Sequence, residues 1–365
     1  MNNSLTPLDF SDADPNHVLY MERCLRLATL GGGQTAPNPM VGAVLVYKNK
    51  IIGEGYHARY GGPHAEVNCI RSVKESDRLL IPESTLYVSL EPCAHTGKTP
   101  PCADLIIREK IPRVVIGCRD PFTQVDGKGI EKLQSQGVEL IYPLLENKCL
   151  YLNRRFMRFH AAHRPYIILK WAQSANQKIA GADGARVSIS NVVSNRLVHQ
   201  WRSEESGILI GSGTATADNP QLTNRLWTGK NPVRIVIDRY QKLESNLHIF
   251  DRFVPTLVFN FEKESSHQNL QYKKVEPGVE LLPQVLSGLY QENILSVLVE
   301  GGAQILKLFI ESGLWDEARV ITNNELQIEN GLSSPEFFHA SIIKTEKYLS
   351  DTIVYYQNEK IRNVI

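Results

Sequence analysis

Three metal-ligating side chains stand at fixed points in the first third of this chain: His64 in Pro63-His64-Ala65-Glu66, Cys93 in Leu90-Glu91-Pro92-Cys93, and Cys102 in Thr99-Pro100-Pro101-Cys102. A chain that must bring one imidazole and two thiols to a point, with a carboxylate two residues after the imidazole, has few folds open to it. Zinc takes soft thiolate and borderline imidazole, and three protein ligands leave its fourth position to water, which is the arrangement of a catalytic site. Water held in that way has a pKa of about 7, so hydroxide is available at neutral pH. Glu66 is then expected to stay off the metal and to carry protons from the water to a departing amine. H-x-E followed by P-C and a further cysteine is the pattern of hydrolytic zinc deaminases. A lone histidine with two cysteines is more often ordinary core packing, but the order and spacing of all four groups argue for the metal. The chain departs from the short P-C-x-x-C form, because eight residues, Ala94 to Pro101, separate its cysteines. That excursion makes a loop over the metal, with His95, Thr96 and Lys98 placed to reach a substrate.

The local patterns put these residues at element ends. Pro63 fixes its own backbone and suits a helix start, so a helix over 65–73 is predicted, with His64 and Glu66 near its N-terminus. Thr85 to Ser89 reads as a short apolar strand that delivers Cys93 at its carboxyl end, where open α/β sheets place their sites. Val18, Met21, Cys24, Leu25 and Ala28 recur at helical spacing in a helix over 16–30, which Gly31-Gly32-Gly33 stops. Strands over 41–46 and 51–56 are joined by Lys48-Asn49-Lys50. A helix over 103–109, a strand over 114–117, a helix over 130–136 and a strand over 138–141 follow. The alternation predicts a three-layer α/β/α domain. One helix over 144–159 reads as the connector, and Tyr166 to Ala172 then restarts the pattern as a buried strand. The boundaries predicted are a polar tail over 1–15, a first domain over 16–145, a helical connector over 146–164 and a second domain over 165–365. In the second domain, strands near Ile208, Val233, Thr256 and Leu295 run into turns, several of them glycine-containing and able to accept a phosphate on free N–H groups. No full G-x-G-x-x-G occurs, so a standard Rossmann domain is not indicated.

His64-Ala65-Glu66 followed by Glu91-Pro92-Cys93-x-His95-x-Gly97-Lys98-Thr99-Pro100-Pro101-Cys102 resembles the deaminase half of the bifunctional riboflavin-biosynthesis deaminase/reductase family. The long loop ending Thr-Pro-Pro-Cys separates that family from cytidine, tRNA-adenosine and guanine deaminases. In the second half, Lys170-Trp171-Ala172-Gln173-Ser174, Gly211-x-Gly213-Thr214-x-x-x-Asp218-Asn219-Pro220-x-Leu222-Thr223-x-Arg225, Pro232 to Asp238 and Val299-Glu300-Gly301-Gly302 are similar to the reductase of the same family. The resemblance implies an α/β protein, a cytidine-deaminase-like three-layer domain followed by a dihydrofolate-reductase-like α/β domain. It implies zinc on His64, Cys93 and Cys102, one ion per deaminase site, with Glu66 as proton shuttle. Substrate contacts fall on Asn38, His57, His95 and Lys98. In the reductase half, NADPH contacts fall on Ala172, Thr214, Asp218, Gly302, Ala303, Gln304, Ile305 and Leu306, and ribosyl-phosphate contacts on Arg202, Leu222, Arg225 and Glu300.

The activities implied are hydrolysis of the 2-amino group of 2,5-diamino-6-(ribosylamino)pyrimidin-4-one 5′-phosphate, then NADPH-dependent reduction of the ribosyl side chain of 5-amino-6-(5-phosphoribosylamino)uracil to ribityl. Two departures bear on the reductase. Asn176-Gln177 stands where many members have Asp-Gly, and Arg186-Val187-Ser188-Ile189-Ser190 where many have Ser-x-Trp-Ile-Ser, so the roles of that Ser and Trp are not carried over. Two rival readings are a deaminase of another base with a non-catalytic reductase-like domain, and a structural-zinc binding module, for which His95 would be the nearby fourth ligand.

Composition narrows the partners. A length of 365 residues accommodates two ordinary domains, and a net charge of +1 supplies no long-range field for nucleic acid. Six cysteines, all at or before Cys149, do not form a disulfide scaffold. The polar start resembles no signal or transit peptide, and no run approaches the roughly 18 apolar residues of a membrane span. The expectation is a cytoplasmic homo-oligomer that acts on small phosphorylated pyrimidines and binds neither nucleic acid nor membrane.

Overall fold

The computed structural model describes residues 15–95, 100–123 and 125–360, and the chain divides into two units between Ala161 and Ala162. Both are α/β.

The first unit begins with α1 (Pro15–Thr29), whose Tyr20, Met21, Cys24, Leu25 and Ala28 are buried along one side. Lys48 and Asn49 take left-handed backbone angles, φ 44° and 64°, and so turn β1 (Gly42–Tyr47) back onto β2 (Lys50–Tyr56). Then come α2 (Ala65–Ser72), β3 (Thr85–Leu90), α3 (Cys102–Arg108), β4 (Arg113–Cys118), α4 (Lys128–Ser135), β5 (Glu139–Ile141), α5 (Glu146–Leu152) and α6 (Arg154–Ala162). The sheet has the order β2-β1-β3-β4-β5, with β1 antiparallel to β2 and β3, and β3, β4 and β5 parallel. Helix α1 packs on β1 and β3, whereas α2 lies on β1 and β2. Ala43, Leu45, Leu86, Val88, Val114 and Ile116 meet Ala65, Cys69, Ile70 and Ile106 in the core between sheet and helices. Two glycines set how closely the helices lie. A Cβ at Gly42 would come 2.0 Å from the Cys24 carbonyl oxygen, and one at Gly55 would come 2.2 Å from the Cys69 nitrogen. Gly55 thus fixes the height of α2, and with it His64 and Glu66, over the sheet.

The single helix expected over 144–159 is two. Asn153 interrupts it: this buried amide accepts a hydrogen bond from Met40 N and donates one to Met40 O, both at 2.8 Å. A side chain turned to a distant backbone segment in this way ends α5 and starts α6.

The second unit contains β6 (Tyr166–Ser174), β7 (Lys178–Ala180), α7 (Val192–Glu204), β8 (Gly207–Gly211), α8 (Ser212–Asp218), β9 (Val233–Ile237), β10 (Thr256–Asn260), β11 (Ser265–His267), β12 (Leu270–Lys274), α9 (Leu281–Gln291), β13 (Ser296–Val299), α10 (Ala303–Ser312), β14 (Glu317–Asn323), β15 (Leu332–Ser333), β16 (Ala340–Tyr348) and β17 (Asp351–Asn358). Ten strands form one sheet, β11-β12-β10-β9-β8-β13-β6-β14-β17-β16, parallel from β12 to β14 and antiparallel at both margins. The central strands carry near-continuous apolar runs, as a sheet covered on both faces requires, and Phe309, Trp315 and Val285 pack against them. Asn191 caps α7 by accepting from Val193 N and Ser194 N. No helix among the described residues is long and apolar enough to cross a membrane.

Candidate active sites

In the first unit, β3 and the starts of α2 and α3 converge. His64 is the N-cap of α2, Cys93 follows β3, and Cys102 opens α3 behind Pro101. The His64 Nδ1 atom lies 3.6 Å from Cys93 Sγ and 3.3 Å from Cys102 Sγ, and the three donor atoms lie within 4.8 Å of one another. A tetrahedral zinc with N at about 2.0 Å and S at about 2.3 Å requires an N–S edge of about 3.5 Å, so this donor set fits the ion. Among the described residues the group holds three ligands, and His95 is not one of them. The Cys102 N–H donates to Cys93 Sγ at 3.4 Å, the contact expected at a thiolate ligand. The hydrogen bond from Cys102, the largest cause, lowers the Cys93 thiol toward thiolate, and the same bond raises Cys102. Glu66 is 3% exposed in the first turn of α2, and burial holds its carboxyl above the ordinary range, as a proton carrier needs.

Two of the expected substrate contacts touch each other. The Asn38 amide donates to His57 Nε2 at 3.2 Å, while His57 Nδ1 donates to the Pro63 carbonyl at 3.0 Å. Burial lowers the His57 pKa, so the ring is a neutral imidazole of fixed tautomer, 5.5 Å from the His64 ring. His95 stands edge-on to Phe122, ring centroids 5.9 Å apart, with its Nδ1 buried and without a hydrogen-bond partner. Lys98 lies outside the described residues.

In the second unit, the expected residues gather at the carboxyl ends of β6, β8 and β13, the edge where parallel sheets bind ligands. Glu300 follows β13. Arg202, on α7, donates to it through Nε at 2.7 Å and Nη2 at 2.9 Å, and Lys170, on β6, approaches at 3.5 Å. Burial alone would raise the Glu300 carboxyl, but the Arg202 and Lys170 charges outweigh it and bring it down to about 2. The Arg202 charge is therefore spent on a carboxylate, and its Nη1 donates to Thr223 O at 3.2 Å. Arg225 differs. Its Nη1 donates to Gln221 Oε1 and Thr223 Oγ1, both neutral, and among the described residues it makes no ion pair. Leu222 is buried with Ile208, Ile210 and Val236, so only its backbone, at φ 52°, can face a ligand.

At the expected cofactor positions, Thr214 Oγ1 accepts the Gly302 N–H at 2.8 Å, which ties α8 to the start of α10. A Cβ on Gly302 would stand 3.1 Å from that hydroxyl oxygen. Ala303, Gln304 and Ile305 form the first turn of α10, whereas the Leu306 side chain is in the core. Ala172 is half-buried on β6, and Asp218 closes α8.

Residues 165–323 match the model of the RibD C-terminal domain, and residues 15–118 that of the cytidine and deoxycytidylate deaminase zinc-binding region. The riboflavin biosynthesis protein RibD of Aquifex aeolicus is 37% identical over 319 residues, covering 86% of this chain and 88% of that one. This chain belongs to the RibD family. RibD of Escherichia coli is 34% identical over 316 residues, with 82% and 85% of the two chains covered. The crystal structure of a diaminohydroxyphosphoribosylaminopyrimidine deaminase/5-amino-6-(5-phosphoribosylamino)uracil reductase from Thermotoga maritima matches with a TM-score of 0.85 at 34% identity, covering 94% of this chain and 99% of that one. As a member of the RibD family the chain is a bifunctional riboflavin-biosynthesis enzyme, a zinc-binding deaminase region joined to a reductase.

Set beside the RibD pattern, Asn176 holds its turn by side-chain bonds: its Oδ1 accepts from Ser174 Oγ at 2.6 Å and Ile328 N at 3.2 Å, and its Nδ2 donates to Ile328 O at 3.0 Å. Gln177 then takes φ 59°, a left-handed angle that glycine would adopt freely. Some site neighbours had no role in the sequence reading. Glu91 is buried and accepts backbone N–H bonds from Asp120, Gly127, Gly129 and Ile130 at 2.9–3.4 Å. Asp120 is buried beside it and raised to about 7, chiefly by burial. The signal available was position, since Asp120 follows β4 by two residues as Cys93 follows β3 by three.

Proposed function

We propose that the first unit removes the 2-amino group of 2,5-diamino-6-(ribosylamino)pyrimidin-4-one 5′-phosphate, and that the second reduces the ribosyl chain of the deaminated product with NADPH. The observation that carries the deaminase reading is the three-donor group His64, Cys93 and Cys102 beside the buried carboxyl of Glu66. Zinc on these ligands supplies hydroxide at neutral pH. Glu66, which is not in the ligand set, receives a proton and passes it to the leaving amine. Neutral His57, with Asn38, His95 and Lys98, orients the pyrimidine and its phosphate.

In the reductase, NADPH supplies the hydride and the protein supplies position. Thr214, Asp218, Ala172 and the backbone of the α10 first turn are the cofactor's contacts, Leu306 through its main chain. Arg225 takes the substrate phosphate, since its guanidinium has only neutral partners. The Arg202–Glu300 pair forms the wall beside it. A fourth ligand would have favoured structural zinc, and the three-ligand group supports catalysis instead.

The test is incubation of the pure protein with the diamino substrate, with and without NADPH. Ammonia release in both mixtures, and NADPH oxidation only after deamination, is expected. Ammonia without any NADPH oxidation would leave a deaminase with a silent second domain.

A further inference from the structure

Helix α7 carries His199 and Arg202 three residues apart, and so on one face. Both reach the segment 222–225: Arg202 Nη1 donates to Thr223 O, and His199 Nδ1 accepts the Arg225 N–H at 2.9 Å. A backbone N–H can only donate, so Nδ1 carries the lone pair and the proton of the neutral ring resides on Nε2. His199 is 6% exposed, and among the described residues its Nε2 meets no acceptor. The charged groups that act on this ring are Arg202, Arg225, Glu300 and Lys170. Glu300 accepts from Arg202 and Lys170 and makes no hydrogen bond with this ring.

We propose that His199 is a further substrate-binding residue of the reductase, donating its Nε2–H to the ribosyl phosphate beside Arg225. This rests on the reading above that the Arg225 cluster holds that phosphate. An unpaired donor surrounded by more cations than anions is suited to an anion. Burial, followed by the Arg202 and Arg225 charges, holds the imidazole down at about 4, so the ring donates without gaining charge at neutral pH. A substrate that lacks the phosphate leaves this donor to water and forgoes a hydrogen bond to a charged group.

The experiment compares kcat/KM on 5-amino-6-(5-phosphoribosylamino)uracil and on its dephosphorylated form, for wild type, His199→Phe, His199→Gln and Arg225→Ala. His199→Phe is expected to raise KM for the phosphorylated substrate by roughly ten-fold, the effect of one hydrogen bond to a charged group, with kcat moved far less. Its preference for the phosphorylated over the dephosphorylated substrate falls by a similar factor. His199→Gln, which can both accept from Arg225 N and donate, recovers most of that preference. Equal losses on both substrates in His199→Phe would overturn the proposal and reduce His199 to a support for the loop. If Arg225→Ala itself keeps the full preference, the phosphate reading of the cluster fails, whereas loss in Arg225→Ala with none in His199→Phe defeats only the role of His199. One measurement needs no variant: on titration of the wild type with ribose 5-phosphate, the His199 Nε2–H resonance should shift. Its failure to move overturns the proposal.

Discussion

Arg202 and Glu300 meet through two parallel hydrogen bonds, 2.7 and 2.9 Å long, across 98 residues of sequence. Both side chains are almost wholly buried, at 13% and 9% exposure. Removing the cation leaves a carboxylate in low dielectric with only Lys170 at 3.5 Å, and breaking a buried pair in this way costs about 3–5 kcal/mol. Arg202→Ala should therefore lower the unfolding free energy of the second unit by that order. Arg225→Ala should leave stability nearly unchanged and raise KM for the phosphorylated substrate by roughly ten- to a hundred-fold. Denaturant titration and steady-state kinetics on the two variants separate the effects. Equal instability of both would mean that Arg225 is also structural.

Glu66→Gln should keep zinc and lose deamination. The amide matches the carboxylate in shape but carries no proton between water and amine, a function worth about 10²–10⁴-fold in rate. Metal content per chain and ammonia release decide the point. Zinc loss in this variant would make Glu66 a ligand.

Asp120 sets a pH dependence. Its carboxyl is held at about 7 in the fold against an ordinary value of 3.8, so the folded state keeps a proton that the unfolded chain releases. The resulting stability is present in full below the unfolded value and is lost as pH rises through 7. Asp120→Asn cannot ionise and retains an acceptor for the Phe122 N–H. Relative to wild type it should gain stability between pH 5.5 and pH 8, measured as the difference in melting temperature at the two values. A constant difference would show that Asp120 is already ionised at the lower pH.

Gln177→Gly should stabilise. A side chain at φ 59° is strained by about 1–2 kcal/mol, partly offset by the greater freedom of glycine in the unfolded chain. A net gain of about 0.5–1 kcal/mol is expected, read as a higher denaturant midpoint with an unaltered slope.

The donor group His64, Cys93 and Cys102 was legible because few residue types suit zinc, and because Pro63 marks the helix start that presents His64. The first sheet was legible strand by strand, since its apolar runs are short and bounded by turns. The far end of the second sheet was not. Strand β14 carries Glu317 and Arg319, charged residues that are nonetheless buried, joined at 2.8 Å and, through Arg319, near Glu205. Strand β16 leaves Ile342 and Ile343 exposed and shows no clean alternation. The Arg202–Glu300 pair was equally hidden, because the resemblance sends both residues to the ribosyl-phosphate substrate and only the fold shows that each answers the other. Asn153 looked like one more helical residue until its amide met Met40.

The four N–H bonds gathered by Glu91 make two separate stretches of chain into one mechanical part, the turn that carries Cys93 and the loop that runs into α4. A Cβ on Gly129 would come within 1.9 Å of the Pro92 carbonyl oxygen, so the two stretches fit without slack. An engineer who grafts a different 120–130 loop would therefore be rebuilding the seat of Cys93. Only grafts that keep Gly129, and the N–H groups aimed at Glu91, would leave the ion where the chemistry needs it.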